Sequence, residues 1–252
     1  MTKRHFLTKD EPMLVCMVQA YTPERVEELM ELSRPEGAEA FGMQFCRMKE
    51  QYKNKETFKK LFAKAGELPV YVTNYRQGEN SKKSDGELTD GLIELAECGA
   101  TLCDVMGDMF DRQDDEMARD PKAIEKQIKL IEDIHAAGAE VVMSSHVLKF
   151  IPAERVLEIA LEHQRRGADI CKIVTGASNM AEQIENMRII DMLKENLKIP
   201  FLFLSGGECH LLRRIGGEIG SCMYLCVHEH DELATPAQPL LCKVKAIRDN
   251  MR

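Results

Sequence analysis

Apolar residues along this chain are distributed in two alternating patterns. Short, nearly unbroken apolar runs predict buried strands, and longer stretches with an apolar residue at every third or fourth position predict amphipathic helices. Three runs, "PMLVCMV" from Pro12, "PVYVTNY" from Pro69 and "PFLFLS" from Pro200, begin at a proline, which is tolerated at the start of a strand. Four others come directly after Gly-Ala, in "PEGAEAFGM", "ECGATLCDV", "AAGAEVVMS" and "RRGADICKI". Each of these glycines suits the cap that ends a helix, so each marks a junction from helix to strand. "SCMYLCV" completes a set of eight runs.

The intervening stretches "TPERVEELMEL", "DPKAIEKQIKLIEDIHAAG", "IPAERVLEIALEHQRRG" and "MAEQIENMRIIDMLKENL" have helical period. Thr22 before Pro23 and Asp120 before Pro121 combine an N-cap oxygen with a proline in the first turn. Strand and helix therefore alternate throughout. Eight such units, with strands apolar on both faces, predict an α/β fold built as a single (β/α)8 TIM barrel, one domain over residues 1–252. An open doubly wound sheet is the alternative, but no glycine-rich dinucleotide fingerprint follows the first strand.

At 252 residues and 44% hydrophobic, the chain is long enough to bury such a core. The net charge of -8 argues against nucleic acid or an anionic membrane as the main partner and favours a small molecule. No apolar run approaches the length of a membrane span, and "MTKRHFLTKDEP" lacks the apolar core of a signal peptide, so a cytoplasmic location is expected. The nine cysteines, none in CxxC spacing, read as small packing residues in a reducing compartment, and the fifteen methionines as core filler.

In a barrel, chemistry comes from the C-terminal ends of strands and the loops after them. That rule selects Arg76 in "TNYRQGEN", His146 in "SSH", Lys172 in "GADICKIV", Arg214 in "SGGECHLLRR" and Gln238 in "TPAQP". Lys172 is the most informative of these, because an amine within an apolar strand is out of place. Taken alone it reads as a strand-end lysine reaching for water, and His146 as a hydrogen-bonded strand end. With the two on consecutive strands, a shared role is the stronger reading.

In order along the chain, "MSSH" (143–146), "ADICKI" (168–173), "RIGGEIGS" (214–221) and "PAQ" (236–238) resemble type I 3-dehydroquinate dehydratase. The resemblance implies that Lys172 forms an imine with a substrate ketone, burial being the means by which a lysine becomes nucleophilic near neutral pH. It implies that His146 moves the proton on the adjacent carbon and returns one to the leaving hydroxyl. Arg214 and Gln238 would hold the substrate carboxylate, Arg76 and Glu79 would meet ring hydroxyls, and Thr235 would replace a carboxylate-binding serine. No cofactor or metal is implied, and a homodimer is expected.

Departures from the family pattern concern recognition. The family's Glu-x-Arg-x-Asp at the second strand is replaced by a stretch with Gly42 and Gln44, and Asp104 is followed by Val105 and Met106 where the family has Asp-x-Glu. The expected activity is a dehydratase acting on 3-dehydroquinate or a related cyclic keto acid, the lost contacts leaving room for a different or less hydroxylated one. A class I aldolase-type lyase acting on a sugar phosphate, with "SGGE" as phosphate cradle, is the nearest rival enzyme. A metal site at Cys222, Cys226, His228 and His230 is a more distant rival, and a non-catalytic binding barrel is the other reading. The polar stretch Gln77 to Glu87 reads as a loop that closes over substrate.

Overall fold

Each of the eight apolar runs forms a parallel strand in the computed structural model, which describes residues 5–251. The strands are β1 (Met13–Val18), β2 (Ala40–Gln44), β3 (Val70–Thr73), β4 (Leu102–Met106), β5 (Glu140–His146), β6 (Ile170–Ala177), β7 (Phe201–Gly207) and β8 (Met223–Cys226). Their order in the sheet is β7-β6-β5-β4-β3-β2-β1-β8. Cys222 N–H donates to the Phe201 carbonyl at 2.8 Å and Phe203 N–H to Ser221 Oγ at 3.1 Å, drawing β8 against β7. The protein is a nearly closed (β/α)8 TIM barrel, and the open doubly wound alternative does not hold.

The outer ring consists of α1 (Pro23–Ser33), α2 (Lys55–Ala65), α3 (Asp85–Glu97), α4 (Pro121–Ala137), α5 (Ala153–Arg165), α6 (Met180–Asn196), α7 (Leu212–Ile219) and α8 (Leu241–Asn250). Thr22 and Asp120 cap α1 and α4, accepting from the N–H groups of Arg25 and Ala123. Gly37, Gly99, Gly138 and Gly167, the glycines of the Gly-Ala junctions, have φ of 100°, 114°, 98° and 99° respectively, a region that side-chain-bearing residues rarely enter. In α4 the buried positions Ala123, Gln127, Leu130, Ile131 and Ile134 follow the helical period and face the strands.

Alternate residues of each strand face the barrel interior. The apolar interior cluster includes Met13, Leu102, Val142, Ile170, Leu202 and Met223, and Phe6 belongs to it with no exposed surface. Phe6 is held from the backbone, its N–H donating to Glu140 Oε2 at 2.7 Å at the start of β5. The opposite strand faces pack under the helices, where Cys16, Cys103 and Cys171 are buried as free thiols.

One buried group under α5 gives the fold a specific acid sensitivity. His163 Nε2 lies 3.1 Å from Ser145 Oγ and Nδ1 lies 3.4 Å from Cys171 Sγ. Burial, reinforced by the charge of Arg166, lowers its pKa from 6.5 to about 3. The unfolded chain therefore takes up this proton first, so the contribution is complete above pH 6.5 and is lost as pH falls toward 3. Stability falls below neutral pH with a slope approaching about 1.4 kcal/mol per pH unit from this group. Unfolding midpoints across that range, compared with those of His163→Gln, check this; equal slopes in the two proteins would assign the effect elsewhere.

Candidate active site

A cavity of about 730 Å³ opens at the C-terminal ends of the strands. Lys172, His146, Arg76, Thr235 and Gln238 all line it, whereas Arg214 and Glu79 do not.

Lys172 lies on β6 opposite Ser144 of β5, and His146 is two residues further along β5. Period-two alternation places both side chains on the inner face, with the histidine one pleat nearer the mouth. Lys172 is 5% exposed, but its surroundings are not the apolar ones that sequence suggests. Nζ is 3.1 Å from Asp104 Oδ2 and donates to the hydroxyls of Tyr75 at 2.8 Å and Tyr71 at 3.1 Å. Both tyrosine hydroxyls donate to the same Asp104 oxygen, and Ser144 Oγ donates to the other at 2.5 Å. Burial alone would raise the Asp104 carboxyl; the charges of Lys172 and His146, with the Ser144 and Tyr71 hydrogen bonds, hold it below the usual range. A buried amine is thus seated on a buried carboxylate at the cavity floor.

His146 is oriented by Glu116, a residue that sequence reasoning missed. One Glu116 carboxylate oxygen, Oε2, accepts the His146 backbone N–H at 2.6 Å and lies 2.9 Å from Nδ1. A carboxylate at that nitrogen favours the tautomer with the proton on Nδ1, leaving the Nε2 lone pair as base. Glu116 has φ of 47°, a left-handed backbone held because Ser145 Oγ donates to its carbonyl at 2.8 Å. The loop carrying it is fixed from beneath by buried Arg166, which donates to the Gly107 carbonyl at 3.1 Å and the Ala118 carbonyl at 2.8 Å. Met106 stands where the family pattern has glutamate, and Glu116 supplies a carboxylate from the following loop instead.

The cationic end of the cavity corrects the assignment of Arg214. Arg214 is exposed and donates to the His210 carbonyl one turn back on the surface, while Arg213 turns inward, 9% exposed, and lines the cavity. Adjacent residues on a helix point about 100° apart, so only one of the pair can face the barrel. Arg213 Nε donates to the Ser205 carbonyl at 3.0 Å, and it forms no ion pair with any carboxylate of the described residues. Burial lowers its pKa from 12.5 to about 10. Nearby, Gln19 Nε2 donates to Gln238 Oε1 at 3.2 Å and to Thr235 Oγ1 at 3.4 Å, linking the end of β1 to the loop after β8. Gln19 is a second residue that sequence reasoning missed.

Two further assignments change. Arg76 lines the cavity but is clamped by Asp85, at 2.6 and 2.8 Å, and by Asp108, at 2.6 Å and through its carbonyl at 3.1 Å, so four of its five donors are already engaged. Glu79 is exposed in a 3-10 turn over Gly78–Asn80, and its backbone N–H is tied to the Cys46 carbonyl at 2.9 Å. That turn also shortens the expected loop: Asn80 is buried against Asn74, and α3 starts at Asp85 behind a Ser84–Glu87 capping box. The segment is a pinned turn followed by helix.

On the second strand the absent charges leave a filled space. A side chain at Gly42 would collide with Met17 Sδ, so the thioether occupies the volume into which a larger residue would project. At the β7–α7 connection, Glu208 N–H donates to the Ala177 carbonyl at 2.8 Å and Cys209 N–H to the Gly206 carbonyl at 3.4 Å. Neither amide is free to cradle a phosphate. Among the described residues no group of three or more His, Cys, Asp or Glu could hold a metal ion, and no helix is long and apolar enough to cross a membrane. His228 and His230 are instead bound to Glu36 at 2.9 Å and to the Gln238 carbonyl at 2.8 Å.

Fold and site together define a (β/α)8 barrel with a buried lysine at the floor of its cavity and a carboxylate-held histidine above it. The chain belongs to the type I 3-dehydroquinase family, whose model matches residues 15–250. Its structure is similar to that of 3-dehydroquinate dehydratase from Geobacillus kaustophilus, with a TM-score of 0.83 at 17% identity, covering 97% of this chain and 93% of that one. The type I enzyme from Clostridium difficile, solved with covalently modified comenic acid, gives 0.82 at 16% identity, covering 100% and 98%. The Enterococcus faecalis enzyme gives 0.75 at 18%, covering 96% and 94%. At these identities the likeness is one of fold. A comparison with curated proteins finds no significant match.

Proposed function

We propose that this protein is a Schiff-base-forming dehydratase that eliminates water from 3-dehydroquinate or a related cyclic keto acid. The observation that carries this reading is the Lys172 amine, buried at the cavity floor beneath a histidine whose ring is held by Glu116. The amine adds to the substrate ketone, and the resulting imine acts as an electron sink that acidifies the neighbouring carbon. His146 Nε2 takes the proton from that carbon and gives one to the departing hydroxyl. Arg213 and Gln238 hold the substrate carboxylate; the planar guanidinium suits both oxygens, and the amide adds a neutral donor. Met17 lies where a charged residue would read a hydroxyl, which supports a substrate less hydroxylated on that side.

Borohydride trapping with 3-dehydroquinate, read by peptide mass spectrometry alongside absorbance of the enone product, tests the reading. An adduct on Lys172 with product formation supports dehydration of this substrate. An adduct without turnover keeps the imine and moves the search to other cyclic keto acids. No adduct with any of them removes the Schiff-base mechanism and favours a binding barrel.

Glu116→Gln gives a separate check on the histidine. The neutral amide no longer enforces the Nδ1–H tautomer, so kcat falls by about 10- to 100-fold, part of the 10²–10⁴ that a positioned base contributes. KM stays within about twofold, because Glu116 is spent on His146 rather than on the substrate carboxylate. Steady-state kinetics distinguish this from a rise in KM, which would assign Glu116 to binding.

A further inference from the structure

Imine formation must move two protons off the Lys172 amine. The amine begins as an ammonium and ends as an iminium with one hydrogen, and its other two hydrogens leave in water. The groups that touch Nζ are Asp104 at 3.1 Å, Tyr75 at 2.8 Å and Tyr71 at 3.1 Å. The two tyrosines differ in what else they reach. Tyr71 is 2% exposed, with its ring against Phe6 in the barrel interior. Both line the cavity, but Tyr75 is the more exposed of the two and sets its ring edge-on to His146, with centroids 5.4 Å apart. Tyr75 is therefore the one of the pair that both touches the amine and stands beside His146 toward the mouth of the cavity.

We propose, on the Schiff-base reading above, that Tyr75 is the acid that protonates the substrate carbonyl oxygen, with Asp104 receiving protons from the Lys172 amine and refilling Tyr75. Nζ first gives one proton to Asp104. Its lone pair then forms the C–N bond, the carbonyl π pair moves to oxygen, and that oxygen takes the Tyr75 proton. Asp104 returns its proton to Tyr75. The nitrogen gives a second proton to Asp104, the C–O bond breaks as Tyr75 protonates the hydroxyl, and the nitrogen lone pair closes the C=N bond. Water leaves carrying both hydrogens, Asp104 refills Tyr75 again, and both groups end as they began. Burial, with the charge of Asp104, holds both phenols well above the usual range, so Tyr75 enters each cycle protonated.

The test is rapid-quench borohydride trapping of the Lys172 adduct with 3-dehydroquinate as probe. Tyr75→Phe slows adduct formation by about 10²- to 10⁴-fold, the range of a lost general acid, while Tyr71→Phe slows it by less than about tenfold. An adduct formed at the unaltered rate in Tyr75→Phe overturns the proposal. Absence of an adduct in the unaltered protein with 3-dehydroquinate and with the other cyclic keto acids overturns the Schiff-base reading instead, so the two failures are distinguishable. Should Tyr75→Phe fail to fold, 3,5-difluorotyrosine placed at position 75 keeps ring and hydroxyl. Its more acidic phenol moves the alkaline limb of adduct formation to lower pH, and an unmoved limb also overturns the proposal.

Discussion

Replacing Lys172 with methionine abolishes the borohydride adduct and turnover, and also lowers folding stability by about 3 kcal/mol. The second effect separates this lysine from one that merely reaches the surface. Methionine fills most of the volume of the stem, so little cavity is created. It leaves Asp104 fully buried without the cation 3.1 Å away, and removing one partner of a buried pair is among the most destabilising changes available. Ser144, Tyr71 and Tyr75 still donate to Asp104, which keeps the loss near the lower end of the usual range. Combining Lys172→Met with Asp104→Asn removes the orphaned charge, so stability recovers while activity does not. Denaturant unfolding of both variants checks this, and a single variant as stable as the parent would show that Lys172 and Asp104 are not an ion pair.

The barrel was legible because its signals are local. Proline or Gly-Ala at the head of seven of the eight apolar runs marks a strand start through backbone geometry alone, and the glycines at 37, 99, 138 and 167 all have positive φ. The floor of the site was legible where a side chain contradicts its neighbours. Lys172 stands out in "ICKIV", and the same signal was present in "LCDVM", where Asp104 is the lone charge of β4. Two single ionisable residues of opposite sign on inward-facing strands are each other's natural partners, and that pairing was available before the fold was known. Glu116 gave no such signal. It lies in "DRQDDEMARD", one acid among several, and only the path of the loop, fixed by Arg166 and a positive φ, brings that carboxylate to His146. Arg213 was missed for a different reason: nothing in "LLRRIGG" sets the rotation of α7, and one residue of helix phase exchanges the buried arginine for the exposed one.

That exchange has a large consequence for catalysis. Arg213→Met lowers kcat/KM by about 10²- to 10³-fold, the scale of deleting one partner of a buried, hydrogen-bonded charge pair with substrate. Arg214→Met changes it by less than about twofold, because that guanidinium only meets the His210 carbonyl at the surface. The Arg213 variant is also more stable than the parent when no substrate is bound. Its guanidinium is 9% exposed, and burial has moved its pKa from 12.5 to about 10, so the cation is disfavoured in the empty site. That shift corresponds to a cost on the order of 3 kcal/mol, which an apolar side chain of similar length does not carry. A substrate carboxylate offsets it in the parent, so the parent gains more thermal stability from a bound keto acid than the variant does. Unfolding midpoints of the two proteins with and without saturating 3-dehydroquinate measure both halves. A variant less stable than the parent when empty, yet equally protected by ligand, would place the substrate carboxylate elsewhere in the cavity.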